Sequence, residues 1–229
     1  GDVYKRQALH LVGPETVVLS LQNGLGHEDV LADLVGAERV LAGKTYVGGV
    51  LVAPGVVEAG TAGKETLIGE LRAKGSARAD RIAGVFNAAG LQTQVCEDIM
   101  ATIWDKLLIN VSTGALSGIT RLPYGALYQI PQVEACAVAA VEEAMAVARA
   151  SGIRLSYHHG VDAWRKAAAG LPYGFKASML QSLEKGTRTE IDYINGAVVE
   201  RGAALGVPTP VNAALVACIK GICLLYTSP

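Results

Sequence analysis

The sequence predicts an α/β layer of the doubly wound type followed by an all-α domain, and three observations carry that prediction. Short apolar, β-branched runs alternate with helical spacings up to about residue 97. Beyond that point strand signals vanish, and alanine-rich segments with helical periodicity run to the end. The connections between the early runs are short, as a layered sheet requires.

In chain order, Thr16–Leu21 (TVVLSL) reads as a strand ending at Gln22-Asn23-Gly24. His27–Val35 follows with apolar Val30, Leu31 and Leu34 at helical spacing. Val40–Val52 is rich in Val, Gly and Thr, and Val56–Glu58 and Thr66–Ile68 are short β-like runs. Ala77–Ala89 reads as a helix before a last strand at Thr93–Cys96. The boundary falls near residues 97–101, which divides the chain into 8–97 and 98–222. Helices are then expected at about 101–118, 132–151, 159–169, 176–185, 188–205 and 210–220. Gly152, Gly170, Gly186 and Gly206 follow four of them as stop signals, and Pro208 reinforces the last.

Composition narrows the class of partner. With 51% apolar residues in 229, the chain has ample material for a packed core. A net charge of −1 and scattered lysines and arginines recommend neither nucleic acid nor an anionic membrane surface. The best candidate for a membrane span, Val133–Ala148, is interrupted by Glu134, Glu142 and Glu143. The four cysteines include no CxxC pair and no histidine at metal spacing, which fits a reducing, metal-free cytoplasm. The expected ligand is a small molecule. His27, His158 and His159 show no nucleophile or metal pattern and read as surface residues.

The two ends read as foreign. Asp2–Gln7 (DVYKRQ) and Cys223–Ser228 (CLLYTS) can be encoded by opposite strands of essentially one DNA word, the form of a transposase sequencing adapter. Segments 1–7 and 223–229 are therefore read as adapter scars on a fragment of a longer protein. A truncated layer of this kind is expected to leave an exposed sheet edge prone to aggregation.

Four constellations could carry chemistry. Lys106 and Asn110, four apart, share one helix face, and Gly114 continues a row able to floor a pocket. A lysine with a lowered pKa can protonate an alkoxide while a neighbouring asparagine orients the oxygen. The alternative is a solvent-facing lysine whose stem lies beside Trp104. Glu190 stands three residues after Thr187, as in a Thr-x-x-Glu capping box. Yet it projects beside Ile194, Ala197 and Val198, where a carboxylate needs a cation or hydroxyl partner. Gly196 in the same segment suggests close approach of another element or a ligand. Gln22-Asn23-Gly24-Leu25-Gly26 lies beyond the carboxyl end of a strand, where doubly wound sheets bind ligands. It lacks the third glycine of a dinucleotide fingerprint, so it is a turn or a secondary contact. Ser178 opens a helix, where serine is commonly a cap.

Taken together, Gln22-Asn23-Gly24, Trp104-Asp105-Lys106-Leu107-Leu108-Ile109-Asn110, Ser178-Met179-Leu180-Gln181 and Thr189-Glu190-Ile191-Asp192-Tyr193-Ile194-Asn195-Gly196 resemble the ketopantoate reductases (2-dehydropantoate 2-reductases) in order and spacing. The resemblance runs from Ala8 to Ile222. It implies an α/β partial Rossmann-type domain followed by an all-α helical C-terminal domain, with substrate in the cleft between them. The segment 8–97 would then be the C-terminal part of an NADP-binding domain whose Gly-rich loop lies upstream. By resemblance Lys106 is the catalytic acid that protonates the C2 oxygen as NADPH delivers hydride. Asn110, Ser178 and Glu190 hold the substrate, and Asn23 and Gly24 lie at the nicotinamide. Gly114, Phe175 and Tyr124 depart from the family, which commonly has asparagines at those positions.

The implied activity is NADPH-dependent reduction of ketopantoate to pantoate, serving pantothenate and coenzyme A synthesis in the cytoplasm, with a homodimer compatible. Two other readings stay open: a related reductase of another 2-keto acid, and a non-catalytic binding protein on the same scaffold. The fragment by itself is expected to be inactive.

Overall fold

The computed structural model describes residues 7–60 and 63–227. Parallel pairing begins where the sequence places a helix between two strands. β1 (Val18–Ser20) lies parallel to β2 (Val40–Thr45), in register from Val18 opposite Val40, with α1 (His27–Val35) as the crossover. β5 (Thr66–Glu70) is likewise parallel to β6 (Thr93–Val95) across α2 (Ala77–Ala88). Among the described residues no helix separates β2 from β5, and these two run antiparallel. The strands between them, β3 (Gly48–Ala53) and β4 (Val56–Gly60), pair with each other as a hairpin outside the main sheet. The sheet order is β1-β2-β5-β6. The Val40–Val52 run is thus two strands, and the layer is mixed because the chain between β2 and β5 turns back without a crossover helix.

The core of this layer is Val40, Leu41 and Ile68 on the strands with Ala79 and Ala83 on α2, all nearly inaccessible. Ser76 caps α2 by accepting from the Ala79 amide at 3.2 Å, and its hydroxyl also donates to Glu70. Arg78 grips the same carboxylate with two donors, Nε at 2.7 Å and Nη2 at 2.5 Å. The guanidinium, supported by the Ser76 hydroxyl, holds the Glu70 carboxyl below the usual carboxylate range against the opposing effect of burial.

Helices take over from residue 99: α3 (Ile99–Thr120), α4 (Tyr124–Leu127), α5 (Pro131–Ala150), α6 (Gly160–Ala168), α7 (Ser178–Glu184), α8 (Asn195–Leu205) and α9 (Pro210–Thr227). Gly152, Gly170, Gly186 and Gly206 all adopt positive φ, as helix-terminating glycines do. By its internal contacts the chain divides into one unit of Gly1–Gln22 and Gly26–Ile103 and a second of Asn23–Leu25 and Trp104–Pro229. The second unit is built around Trp104, Leu107, Leu108, Met145, Trp164, Leu180 and Ile219, each at most 2% exposed.

Three expectations are corrected. The helix read over 188–205 is interrupted: Ile191–Tyr193 is a single 3-10 turn, and α8 begins only at Asn195. The Thr187–Glu190 capping box is absent, because no α-helix starts there and the Thr187 hydroxyl donates to Ser182 O. His27 is not a surface residue; it is 3% exposed at the start of α1. The read scars at 1–7 and 223–229 fall partly outside the described residues, and Cys223–Thr227 continue α9.

Candidate active site

One helix carries two of the candidate residues, Lys106 and Asn110. On α3, Trp104, Leu107, Leu108 and Val111 are buried, which anchors that stripe and leaves Lys106 and Asn110 half-buried on a neighbouring face. Asp105 faces elsewhere and accepts from Ser156 twice, from its amide at 3.0 Å and its hydroxyl at 2.7 Å. The row does not continue to Gly114 as a pocket floor. A Cβ built on Gly114 would sit 3.6 Å from Met179 Cε, so the α7 methionine covers that position. One turn further, a Cβ on Gly118 would meet Ile219 Cδ1 at 2.9 Å and Leu183 Cδ1 at 3.1 Å. Two side-chain-free positions therefore let α7 and α9 lie close to α3. The neighbour of Met179, Ser178, is an exposed residue in the first turn of α7. Ala177 rather than Ser178 is the cap residue.

The same face of α3 carries Thr113, three residues after Asn110, whose hydroxyl accepts from Tyr124 Oη at 2.8 Å. Burial pushes the Tyr124 phenol upward, partly offset by this bond. Phe175 packs edge-on against Tyr124 with ring centroids 5.1 Å apart, and Phe175 O accepts from the Tyr124 amide at 2.8 Å. Tyr128 stacks on Trp164 at 3.7 Å between centroids. Tyr124 is thus already engaged with Thr113, and Phe175 is still 36% exposed.

A second cluster gathers residues far apart in sequence. Asn23 Nδ2 donates to Glu190 Oε2 at 3.2 Å, so the carboxylate left without a capping role has an amide partner. Leu25 N donates to Tyr193 O at 2.8 Å, which lays the Asn23–Leu25 main chain against the 3-10 turn. Gly196 is approached by Ile191 O, 3.1 Å from where a Cβ would stand, so the close contact there is the same turn. Lys220 on α9 pairs with Asp192 of the same turn at 2.7 Å.

The structure therefore joins Asn23 to Glu190 and sets Lys106 and Asn110 one turn apart on α3, while Ser178 opens α7, whose Met179 packs on Gly114. A separate cavity of about 370 Å³ is lined by Leu183, Thr187, Arg188, Ile191, Lys220 and Leu224, with none of those candidates in its wall. Among the described residues no group of His, Cys, Asp and Glu could hold a metal ion, and no helix is long and apolar enough to cross a membrane. Sequence reasoning missed Thr113 and the main chain of Leu25 and Tyr193. Thr113 was open to discovery as the next residue of the Lys106–Asn110 stripe, whereas main-chain contacts leave no signature in residue type.

A Rossmann-like α/β layer followed by an all-helical unit defines the class. The chain belongs to the ketopantoate reductase family: residues 98–223 match the family described as ketopantoate reductase PanE/ApbA C terminal, and residues 3–73 match ketopantoate reductase PanE/ApbA. It is 38% identical to a 2-dehydropantoate 2-reductase of Halobacterium salinarum over 85% of this chain and 63% of that protein. The corresponding protein of Archaeoglobus fulgidus is 33% identical over 90% of this chain and 68% of its own length. The chain thus spans about two thirds of these relatives. Among solved structures, a ketopantoate reductase from Ralstonia eutropha superposes with a TM-score of 0.87 at 34% identity, covering 99% of this chain and 74% of that one. A D-mandelate dehydrogenase solved with NADH and anilino(oxo)acetate superposes at 0.90 with 25% identity and the same coverage.

Proposed function

We propose that this protein reduces ketopantoate (2-dehydropantoate) to pantoate with NADPH. The observation that carries the reading is the Lys106–Asn110 row on α3, in a chain 30–38% identical to several 2-dehydropantoate 2-reductases. In this reading 8–97 is part of the cofactor-binding domain and 98–222 the substrate-binding and catalytic domain. The enzyme is cytoplasmic and a homodimer is its proposed assembly.

The residues present fit one end of a nicotinamide cofactor. The Asn23–Gly24 loop leaves β1 at its carboxyl end and enters α1 through Gly26, with no side chain capping the helix N-terminus and open space beside Gly26. When bound, NADPH supplies the hydride that converts the keto carbon to an alkoxide. Lys106 donates a proton from Nζ to that oxygen and stabilises its developing charge. Asn110 orients the oxygen through its amide, and Ser178 and Glu190 hold the carboxylate and hydroxyl ends of the substrate. Glu190 accepts from the hydroxyl with one oxygen while the other is held by Asn23.

The test is turnover by the full-length protein. Ketopantoate-dependent oxidation of NADPH is expected, with Lys106→Ala losing at least a hundredfold in kcat, as removal of a general acid does, and an unchanged melting temperature. Turnover undiminished in that variant rejects the role of the lysine.

One observation favours a second reading, a reductase of a bulkier apolar 2-keto acid. Phe175 is partly exposed three residues before Ser178 and is backed by Tyr124, and the similar D-mandelate dehydrogenase was solved with a ligand bearing an anilino group. A panel that sets ketopantoate against phenylglyoxylate separates the two.

A further inference from the structure

We infer that Gly24 is a positioning residue: by letting the main chain at Asn23–Leu25 lie directly on Tyr193, it holds the Glu190 carboxylate where the substrate is met. The inference rests on the proposed role of Glu190 and adds a role for Gly24 distinct from cofactor contact. Gly24 is buried and adopts φ +94°, the left-handed region that a residue with a Cβ rarely occupies. The conformation alone is not the whole demand. A Cβ at this position would lie inside the contact distance of Tyr193 O, 2.7 Å from the Tyr193 carbonyl carbon and 2.8 Å from its Cβ. Two of these three atoms are backbone, so no rotamer change relieves the clash, and the loop itself would have to retreat. By contrast a Cβ on Gly26, two residues on, would meet nothing within 4 Å.

Retreat of the loop has a defined consequence for Glu190. The Leu25 N–H to Tyr193 O bond, 2.8 Å, and the Asn23 Nδ2 to Glu190 Oε2 bond, 3.2 Å, flank Gly24 on either side. Both end on one turn, because the Tyr193 and Ile194 amides donate to Glu190 O at 3.0 and 3.1 Å. On the same turn Ile191 O lies against Gly196 and Asp192 pairs with Lys220. Moving the loop by the roughly one ångström that a methyl requires lengthens the Asn23 bond and frees the carboxylate to rotate. A carboxylate that must be fixed to accept from a substrate hydroxyl then binds that substrate less well.

The experiment is a double-mutant cycle on the full-length protein with Gly24→Ala, Glu190→Ala and both together, reading kcat/KM for the keto acid. Gly24→Ala alone is expected to lose at least tenfold, mainly through a raised KM for the keto acid, and to lose less than twofold further in the Glu190→Ala background. Losses that multiply in the double variant overturn the inference, since Gly24 would then act independently of Glu190, as a pure cofactor contact would. If Gly24→Ala is not recovered folded, Asn23→Ala enters the same cycle with the same two outcomes. Hydrogen exchange supplies a readout that does not depend on the substrate assignment. Gly24→Ala should remove protection from the amides of Leu25, Tyr193 and Ile194 while leaving α5 protected, and unchanged protection at all three rejects the contact. If the wild-type protein fails to turn over ketopantoate while Gly24→Ala still shows this loss of protection, the substrate reading is refuted and the positioning contact stands.

Discussion

At the level of single residues, the informative quantity is the identity of the partner rather than burial. Glu190 and Lys106 are both half-buried polar residues in helical surroundings, and their types alone leave each divided between a structural and a chemical role. For Glu190 the structure removes the capping role, because no α-helix begins at 187–190, and it gives the carboxylate Asn23 as a partner. That partner lies 167 residues away in sequence, beyond the reach of any local pattern. Phe175 is the opposite case. Its aromatic character is evident from sequence, and the structure adds that Tyr124 backs it and Thr113 ties Tyr124 to the stripe bearing Lys106 and Asn110. Phe175→Asn is therefore expected to shift the ratio of kcat/KM for ketopantoate over phenylglyoxylate upward by about tenfold, measured in steady state. Tyr124→Phe, which leaves Thr113 without its donor, should cost about 1 kcal/mol in a thermal or urea melt.

Among the elements, the helices were legible where their termini carried their own signals. Gly152, Gly170, Gly186 and Gly206 each mark a real end, since the left-handed conformation after the last turn is a local property of glycine. The 188–205 segment was misread because its composition is helical throughout while its hydrogen bonding is set by contacts elsewhere. The start of α9 shows a similar remote dependence. Its first free amides, Val211 and Asn212, donate to the two oxygens of Glu143 on α5 at 2.8 and 3.0 Å, and Asn212 Nδ2 adds a third bond at 2.7 Å. A mid-helix glutamate thus serves as the N-terminal cap of a different helix. Glu143→Ala is expected to destabilise the helical unit by about 1–3 kcal/mol, seen as a fall in melting temperature with the far-ultraviolet circular dichroism retained at low temperature.

For the molecule as a whole, the order of α/β layer then helices followed from a change in periodicity near residue 97, and the mixed character of the sheet did not. Parallel or antiparallel pairing depends on whether a helix intervenes, and the run of Val, Gly and Thr at 40–52 holds both β2 and the first strand of the β3–β4 hairpin. Stability should also carry a specific acid sensitivity. The Arg78 guanidinium lowers the Glu70 pKa in the folded state, so the pair contributes fully above the unfolded value of about 4.5 and its contribution is lost as pH falls through the lower folded value. Wild-type protein should therefore lose stability below about pH 4.5 more steeply than Arg78→Ala, in which that dependence is flattened. Melting curves across pH 3–7 provide the comparison.

The attachment of Asn23–Leu25 to the helical unit has a practical consequence for recombination. A chimera that exchanges everything before residue 98 between two relatives would bring in a foreign Gln-Asn-Gly loop to face the resident Tyr193 turn. Cofactor specificity swaps in this family should accordingly be cut so that this tripeptide travels with the segment 189–196, although a whole layer of sheet and helix separates the two along the chain.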